Sequence, residues 1–312
     1  MSIEIPYSPS VSVVIPTYQG TAYLPALLQA IRAQEYAAPV EIVAIDSEST
    51  DATPDILKQF GAVVIPIAQR RFTHGYSRNL GTQCAKGEVL VFISQDALPV
   101  GTGWLKGLVA PLADSTIGAT YARQVARPKA TPFEDYFHLA LYPPQSKRYA
   151  PVTEDRLALS RIFFSNVCSA ARREICLRFP FDEAIIMSED QAFARELLRA
   201  GYATYYNADV QVIHSHSYSL KTLFRRNFDS AYSLRGVSND GAGGMASQGL
   251  RYIRGEAAFV IRLRRWWWLL AIPPYELTRI AGRLFGRNAD RLPKRWRLAF
   301  SLHRAYWSRE QQ

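Results

Sequence analysis

Three short polar clusters in this 312-residue chain carry side chains that could do chemistry, and each closes an apolar run. Ser94-Gln95-Asp96 follows Val89 to Ile93, His214-Ser215-His216 follows Val210 to Ile213, and Asp46 to Asp51 (DSESTD) follows Val40 to Ile45. If 210–213 is a strand, its period of two sends both histidines to the same face. Carboxylate and imidazole together suit a divalent cation such as Mg²⁺ or Mn²⁺. A fourth cluster, Ser188-Glu189-Asp190-Gln191, opens a run through Phe193, Leu197 and Leu198 at helical spacing. Ser188 and Gln191 fit a capping box, and two acids in a first turn suit the helix dipole. Plainer explanations stand beside the others too. Asp and Ser make good turns and caps, and a histidine can be hydrogen-bonded inside a loop.

Strand ends must come together for these clusters to cooperate. Val11 to Ile15 is a β-branched run that Pro16 is expected to stop, and Leu24, Leu27, Leu28 and Ile31 recur at helical spacing. Val40 to Ile45 reads as a second strand ending at Asp46, and Ala52 to Phe60 as a helix with Pro54 near its start. A strand at Val63 to Ile67, a helix at Tyr76 to Ala85 and a strand at Val89 to Ile93 follow. This alternation predicts an α/β fold, a mostly parallel sheet with helices on both faces. Such sheets bind ligands at the carboxyl ends of strands, where Pro16-Thr17-Tyr18, Asp46 and Ser94-Gln95-Asp96 fall. No G-x-G-x-x-G or G-x-x-x-x-G-K-[ST] follows the first strand, which argues against a Rossmann dehydrogenase or a P-loop NTPase.

Composition excludes a mostly disordered or collagen-like chain, with 48% hydrophobic and 21% charged residues. Cys84, Cys168 and Cys176 share no ligand spacing and read as free thiols of a reducing compartment. The opening MSIEIPYSPS lacks the basic and apolar stretches of a signal peptide, so a cytoplasmic location is expected. Charge is distributed unevenly. Residues 251–312 hold 14 of the 37 Lys and Arg and four of the 27 Asp and Glu, so the whole excess of +10 lies there. Five of the six tryptophans share that tail: Trp266, Trp267, Trp268, Trp296 and Trp307. The domains expected are therefore 1–245 and a basic helical tail, 246–312.

Val11 to Tyr18 (VSVVIPTY) and Glu41 to Asp51 (EIVAIDSESTD), with the strand that ends at Asp96, resemble the inverting glycosyltransferases of family 2. That family has the GT-A nucleotide-sugar-binding fold. Phe72 to Asn79 (FTHGYSRN), Ser94 to Ala97 (SQDA) and His214 to His216 resemble more particularly its bacterial rhamnosyltransferases. The likeness spans roughly residues 10 to 235. There are two departures. The family's D-x-D is Ser94-Gln95-Asp96, with only the last acid kept, and the Q-x-x-R-W motif of processive polysaccharide synthases is missing.

An enzyme of this kind must neutralise a leaving diphosphate, grip a nucleotide and take a proton from an acceptor hydroxyl. The resemblance implies Mg²⁺ or Mn²⁺ on Asp96 and His214, with His216 as a diphosphate contact. It implies Asp190 as the catalytic base with Glu189 beside it, and a metal and a helix N-terminus are expected to keep Asp190 ionised. Pro16, Thr17, Tyr18, Asp46, Ser49, His74, Gly75, Arg78, Asn79 and Gln95 are assigned to the nucleotide sugar, with a surface helix position as the alternative for Arg78. Arg123-Gln124 and Ser165-Asn166 read as strand-like segments nearer the acceptor, without a role.

In the tail, Arg262, Arg264 and Arg265 interrupt the apolar runs, and none approaches the ~18 residues of a membrane span. A basic, Trp-rich helical segment reads as lying on an anionic membrane surface, with Trp266 to Trp268 at headgroup depth. A plain helical subdomain and nucleic-acid binding are the alternatives, and nucleic acid is not an expected partner. The expected activity is metal-dependent transfer of L-rhamnose from dTDP-L-rhamnose to a lipid-linked saccharide acceptor, on the inner face of the cell membrane, in cell-surface polysaccharide synthesis. A UDP-hexose donor is the nearest rival. A basic membrane or nucleic-acid adaptor with a degenerate sugar site is the rival from another class.

Overall fold

A computed structural model describes residues 7–153, 157–238 and 242–309. Met1 to Pro6, read above for an export signal, lie outside the described residues. The strands are β1 (Val11–Thr17), β2 (Val40–Asp46), β3 (Val63–Pro66), β4 (Val89–Ile93), β5 (Leu98–Pro99), β6 (Ile117–Val125), β7 (Lys147–Tyr149), β8 (Cys168–Arg172) and β9 (Ala203–Ile213). The helices of the body are α1 (Leu24–Arg32), α2 (Thr53–Gln59), α3 (His74–Cys84), α4 (Trp104–Val109), α5 (Pro132–Leu141), α6 (Leu159–Ile162), α7 (Arg173–Arg178), α8 (Glu189–Arg199) and α9 (Leu220–Leu234). The tail adds α10 (Ala242–Arg262), α11 (Ile272–Arg287), α12 (Lys294–Phe300) and α13 (Arg304–Arg309).

All nine strands form one sheet, in the order β3-β2-β1-β4-β8-β6-β9-β5, with β7 also on β9. The first four are parallel, β8 runs against both β4 and β6, and β9 lies parallel to β6. Alternation along β1 explains the layers. Val13 and Ile15 pack with Leu24, Leu27, Leu28 and Trp104 on one face, and Val14 packs with Phe92, Phe193 and Leu197 on the other. Both faces are dry, which is why β4 is apolar throughout.

Pro16 does not stop β1, which continues to Thr17. Pairing with β4 ends at Val14–Phe92, while pairing with β2 runs on to Thr17–Asp46. Pro16 therefore sits where one side of β1 is open and a missing N–H is tolerated. The parting of β1 and β4 also opens a crevice at their carboxyl ends. Arg123 and Gln124 lie in β6 as expected, whereas Ser165 and Asn166 belong to the loop before β8.

The tail is packed onto the body. Helix α10 runs unbroken across residue 245, the expected boundary. Trp307 is completely buried, its ring 4.6 Å from Tyr232 and 6.1 Å from Phe228 of α9. Trp268 meets Phe133 of α5 edge-on at 5.3 Å. At Gly282 and Gly286 a Cβ would overlap the Phe224 and Phe228 carbonyls, so α11 lies backbone-close on α9. Removing the tail would strip these contacts. Trp307→Ala alone is expected to cost about 3–5 kcal/mol of stability, read by urea unfolding. A loss under about 1 kcal/mol would mean that the site can collapse or that the tail packs weakly.

Candidate active site

Strand ends bring three of the singled-out groups to one point. Asp96 follows β4, and His214 and His216 follow β9 on a shared face. His214 Nε2 lies 3.6 Å from Asp96 Oδ1, His216 Nε2 lies 3.3 Å from Asp96 Oδ2, and the two Nε2 atoms are 3.1 Å apart. His214 Nδ1 faces Gln124 Oε1 at 2.9 Å, which assigns the proton to Nδ1 and leaves the Nε2 lone pair pointing inward. Burial, with His216 and nearby arginines, holds His214 well below the ordinary imidazole range, so it is neutral. Two imidazole nitrogens and a carboxylate converging this closely require a proton or a cation between them. An octahedral ion with bonds of about 2.1 Å places neighbouring ligands about 3 Å apart, so the triad fits one face of such a site. His216, expected against the diphosphate, stands here as a third potential ligand. Two imidazoles favour Mn²⁺ over the oxygen-preferring Mg²⁺.

The second group is Glu189-Asp190 at the start of α8. Glu189 and Arg78 are both buried and form an ion pair at 2.6 Å. Among the described residues, no cation forms an ion pair with Asp190. Its Oδ2 accepts the Asn166 N–H at 3.2 Å, and its Oδ1 accepts the Gln191 N–H at 2.9 Å. Burial and the adjacent Glu189 push the Asp190 carboxyl up to about 7, against Arg78 and those two backbone donors. It is thus a stronger base than the fully ionised carboxylate expected above. The capping box does not form. Ser188 makes no side-chain cap and holds a left-handed backbone, φ 74° and ψ 21°, an uncommon conformation for a non-glycine residue.

Segment 181–190 is held by α3. Besides Arg78, Asn79 donates to the Phe181 carbonyl at 2.9 Å and to Glu183 at 2.8 Å, and accepts the Phe181 N–H at 2.9 Å. A Cβ at Gly75 would overlap the Asp182 carbonyl, so this glycine permits close packing. These three residues were assigned to the nucleotide sugar. In the structure Arg78 and Asn79 are engaged with the segment that carries Asp190. Arg78→Met would leave Glu189 charged and unpaired in the interior, and a loss of about 3–5 kcal/mol in thermal unfolding is expected. A variant as stable as the parent would show that Glu189 takes up a proton instead.

The residues expected on the nucleoside side form one network across β1 and β2. Thr17 Oγ1 donates to Asp46 Oδ1 at 2.9 Å, and Ser49 donates to Asp46 from its N–H at 2.9 Å and its hydroxyl at 2.7 Å. Gln95 clamps Tyr18, accepting its N–H at 3.0 Å and donating to its carbonyl at 2.9 Å. Gln95 directly precedes Asp96, so this clamp ties the end of β1 to the strand end that carries Asp96.

Gln124, Ser165 and Asn166, singled out in the sequence without a role, acquire one here, and Tyr142, Tyr218, Arg226 and His303 join the site unannounced. Gln124, which orients His214, donates to Tyr142 at 2.5 Å and to Ser165 at 2.9 Å. Ser165 and Asn166 are consecutive, so this loop joins the histidine side to Asp190. Arg226 of α9 lies over Tyr218, 5.4 Å from its ring centre, and Tyr218 is 5.6 Å from His216. The charge of Arg226 helps to hold His74, His214, His216 and His303 below the ordinary imidazole range, after burial. His303 comes from the tail, 5.8 Å ring to ring from His74, and is fixed by Asp229 accepting the neighbouring Leu302 N–H at 2.8 Å. No motif marks Arg226 or His303.

The sheet that parts between β1 and β4 thus carries at its strand ends the acidic loop of β2 and the Asp–His–His cluster, with buried Glu189 and half-buried Asp190 at the start of α8. Residues 12–178, more than half of the chain, match Glycosyl transferase family 2, and the chain belongs to that family. It is 28% identical over 306 residues to the O-antigen chain rhamnosyltransferase RfbN of Salmonella typhimurium, covering 96% of each chain. It is likewise 28% identical over 308 residues to the O-antigen chain rhamnosyltransferase WbaN of Salmonella anatum, again 96% of each. Among solved structures, it resembles the mannosyltransferase PcManGT from Pyrobaculum calidifontis in complex with GDP-Man and Mn²⁺, with TM-score 0.64, 20% identity, and 92% and 89% of the two chains covered. Staphylococcus aureus TarS 1-349 with UDP-GlcNAc gives TM-score 0.51 at 16% identity, covering 90% and 91%. These structures establish the GT-A-like fold.

Proposed function

We propose that this enzyme transfers L-rhamnose from dTDP-L-rhamnose, with inversion, to a saccharide carried on a membrane lipid at the cytoplasmic face. The likeness to two O-antigen chain rhamnosyltransferases over 96% of each chain supports rhamnose as the sugar and a saccharide chain as the acceptor. The Thr17–Asp46–Ser49 network would receive the nucleoside. The diphosphate would extend toward Asp96, with Arg226 as its second source of positive charge. A divalent cation on Asp96, His214 and His216 would supply Lewis-acid neutralisation of the leaving diphosphate. Asp190 takes the proton of the acceptor hydroxyl as that oxygen bonds to the anomeric carbon, and the bond from that carbon to the diphosphate oxygen breaks. Arg78 holds Glu189, which leaves Asp190 as the carboxylate able to accept a proton.

A panel of dTDP-L-rhamnose, UDP-glucose, UDP-GlcNAc and GDP-mannose, scored for binding and hydrolysis with Mn²⁺, Mg²⁺ or EDTA, tests the donor. Tightest binding and fastest hydrolysis are expected for dTDP-L-rhamnose with metal. Preference for a UDP-hexose would overturn the sugar and keep the reaction class. Failure to bind any nucleotide sugar would overturn both.

A further inference from the structure

Helix α11 is built inside out. Its inward face is ionic and small. Glu276 and Arg279 are buried and paired at 2.7 Å, Arg279 lies 3.8 Å from the buried Glu256 of α10, and Gly282 and Gly286 sit on the α9 backbone. Its outward face is apolar. Leu277, Ile280 and Leu284, at the i, i+3, i+7 spacing of one helical stripe, are 65%, 44% and 59% exposed. An amphipathic helix surrounded by water would turn the other way. The stripe continues into the preceding turn, where Trp266, Trp267 and Leu270 are 57%, 74% and 83% exposed. Exposed arginines flank both ends, Arg262, Arg264 and Arg265 at one and Arg291 and Arg295 at the other.

We propose that Trp266, Trp267, Leu270 and the outward face of α11 form the surface by which this enzyme rests on an anionic lipid bilayer. The apolar side chains enter the boundary between headgroups and acyl chains, and the flanking arginines meet lipid phosphates. This rests on the reading of the acceptor as lipid-borne and names the surface that meets the lipid. The contact differs from the one expected of the tryptophan triplet, because Trp268 packs against Phe133 and only Trp266 and Trp267 face outward. Charge selects the occupant. A second copy would oppose arginine to arginine, and a nucleic acid would leave the leucines in water. Among the described residues no helix is long and apolar enough to cross a membrane, which suits a contact at the surface. Helix α9 carries α11 on one side and Arg226 on another, so the site stands about two helix layers, ~20 Å, from the lipid.

The test uses the full chain and vesicles of phosphatidylcholine with about 30% phosphatidylglycerol, at low and high salt, beside donor hydrolysis in solution. The parent should co-sediment and be partly released by salt. Leu277→Gln/Ile280→Gln/Leu284→Gln should partition at least about 30-fold more weakly while hydrolysing donor at the parental rate. Trp267→Ser/Leu270→Ser, placed in an exposed turn, should also weaken partition and guards against misfolding of the triple variant. Arg262→Gln/Arg264→Gln/Arg265→Gln should remove much of the salt dependence. Parental partition by both apolar variants, or a parent that ignores the vesicles at low salt, would overturn the proposal. So would a parental dimer in solution that the leucine variant dissolves. Vesicle binding by a parent that hydrolyses no nucleotide sugar would sink the catalytic reading and leave this surface standing.

Discussion

Asp190→Asn is expected to keep donor affinity and to lose at least about 100-fold in turnover, the usual scale for removing a general base. The amide is nearly isosteric and its single oxygen still accepts the Asn166 N–H, giving up only the Gln191 N–H in the first turn of α8, so the loop stays in place. What it loses is the ability to take a proton. The pH profile adds an independent readout. Burial beside Glu189 pushes the Asp190 carboxyl up to about 7, so the group is protonated and inactive on the acid side. Turnover of the parent should therefore fall about tenfold per pH unit below that value, and rise through it toward a plateau. The residual activity of Asp190→Asn should lack this acid limb. Near-parental turnover in the variant would remove Asp190 from the chemistry and direct attention to Glu189.

The second large effect belongs to the Asp96–His214–His216 cluster. Asp96→Ala removes the charged member of the triad, and His214→Ala removes the member oriented by Gln124. Each should abolish stimulation by Mn²⁺ and lower donor turnover at least about 100-fold, the scale of several kcal/mol of charge stabilisation. EDTA should do the same to the parent. Titration of Mn²⁺ into the protein without donor reads the site separately from activity, and the single site should vanish in either variant. Undiminished hydrolysis in EDTA would leave Arg226 and its neighbours to neutralise the diphosphate unaided.

Strand ends were the legible part of this sequence. Asp46 and Asp96 could be placed because buried strands read as apolar runs, and the first polar residue afterwards marks the carboxyl end of the sheet. His214 and His216 could be placed on one face because the strand period is two. What could not be read is which distant groups meet. Arg78 and Asn79 stand in a motif that suggests a ligand, yet Arg78 pairs with a glutamate 111 positions away. Spacing along α3 gives a face and never a partner. Ser188 illustrates a local rule overridden, since its type and its distance from Gln191 fit a capping box while the chain turns left-handed there. The tail shows the limit of composition. Trp307 and Trp267 are the same residue type in one basic segment, and one is wholly buried while the other is 74% exposed. Helix α11 reverses the ordinary rule, burying its charges and exposing its leucines, because glycines bring it onto the backbone of α9.

The stereochemistry of donor hydrolysis tests most directly whether a single displacement is driven by Asp190. With dTDP-L-rhamnose, Mn²⁺ and water as acceptor, early proton NMR spectra report the anomer released before it equilibrates. One base and no covalent nucleophile require the first-formed rhamnose to carry the configuration opposite to that of the donor, and Asp190→Asn should slow its appearance at least about 100-fold. Release with the donor's own configuration, at a rate indifferent to Asp190→Asn, would contradict the account.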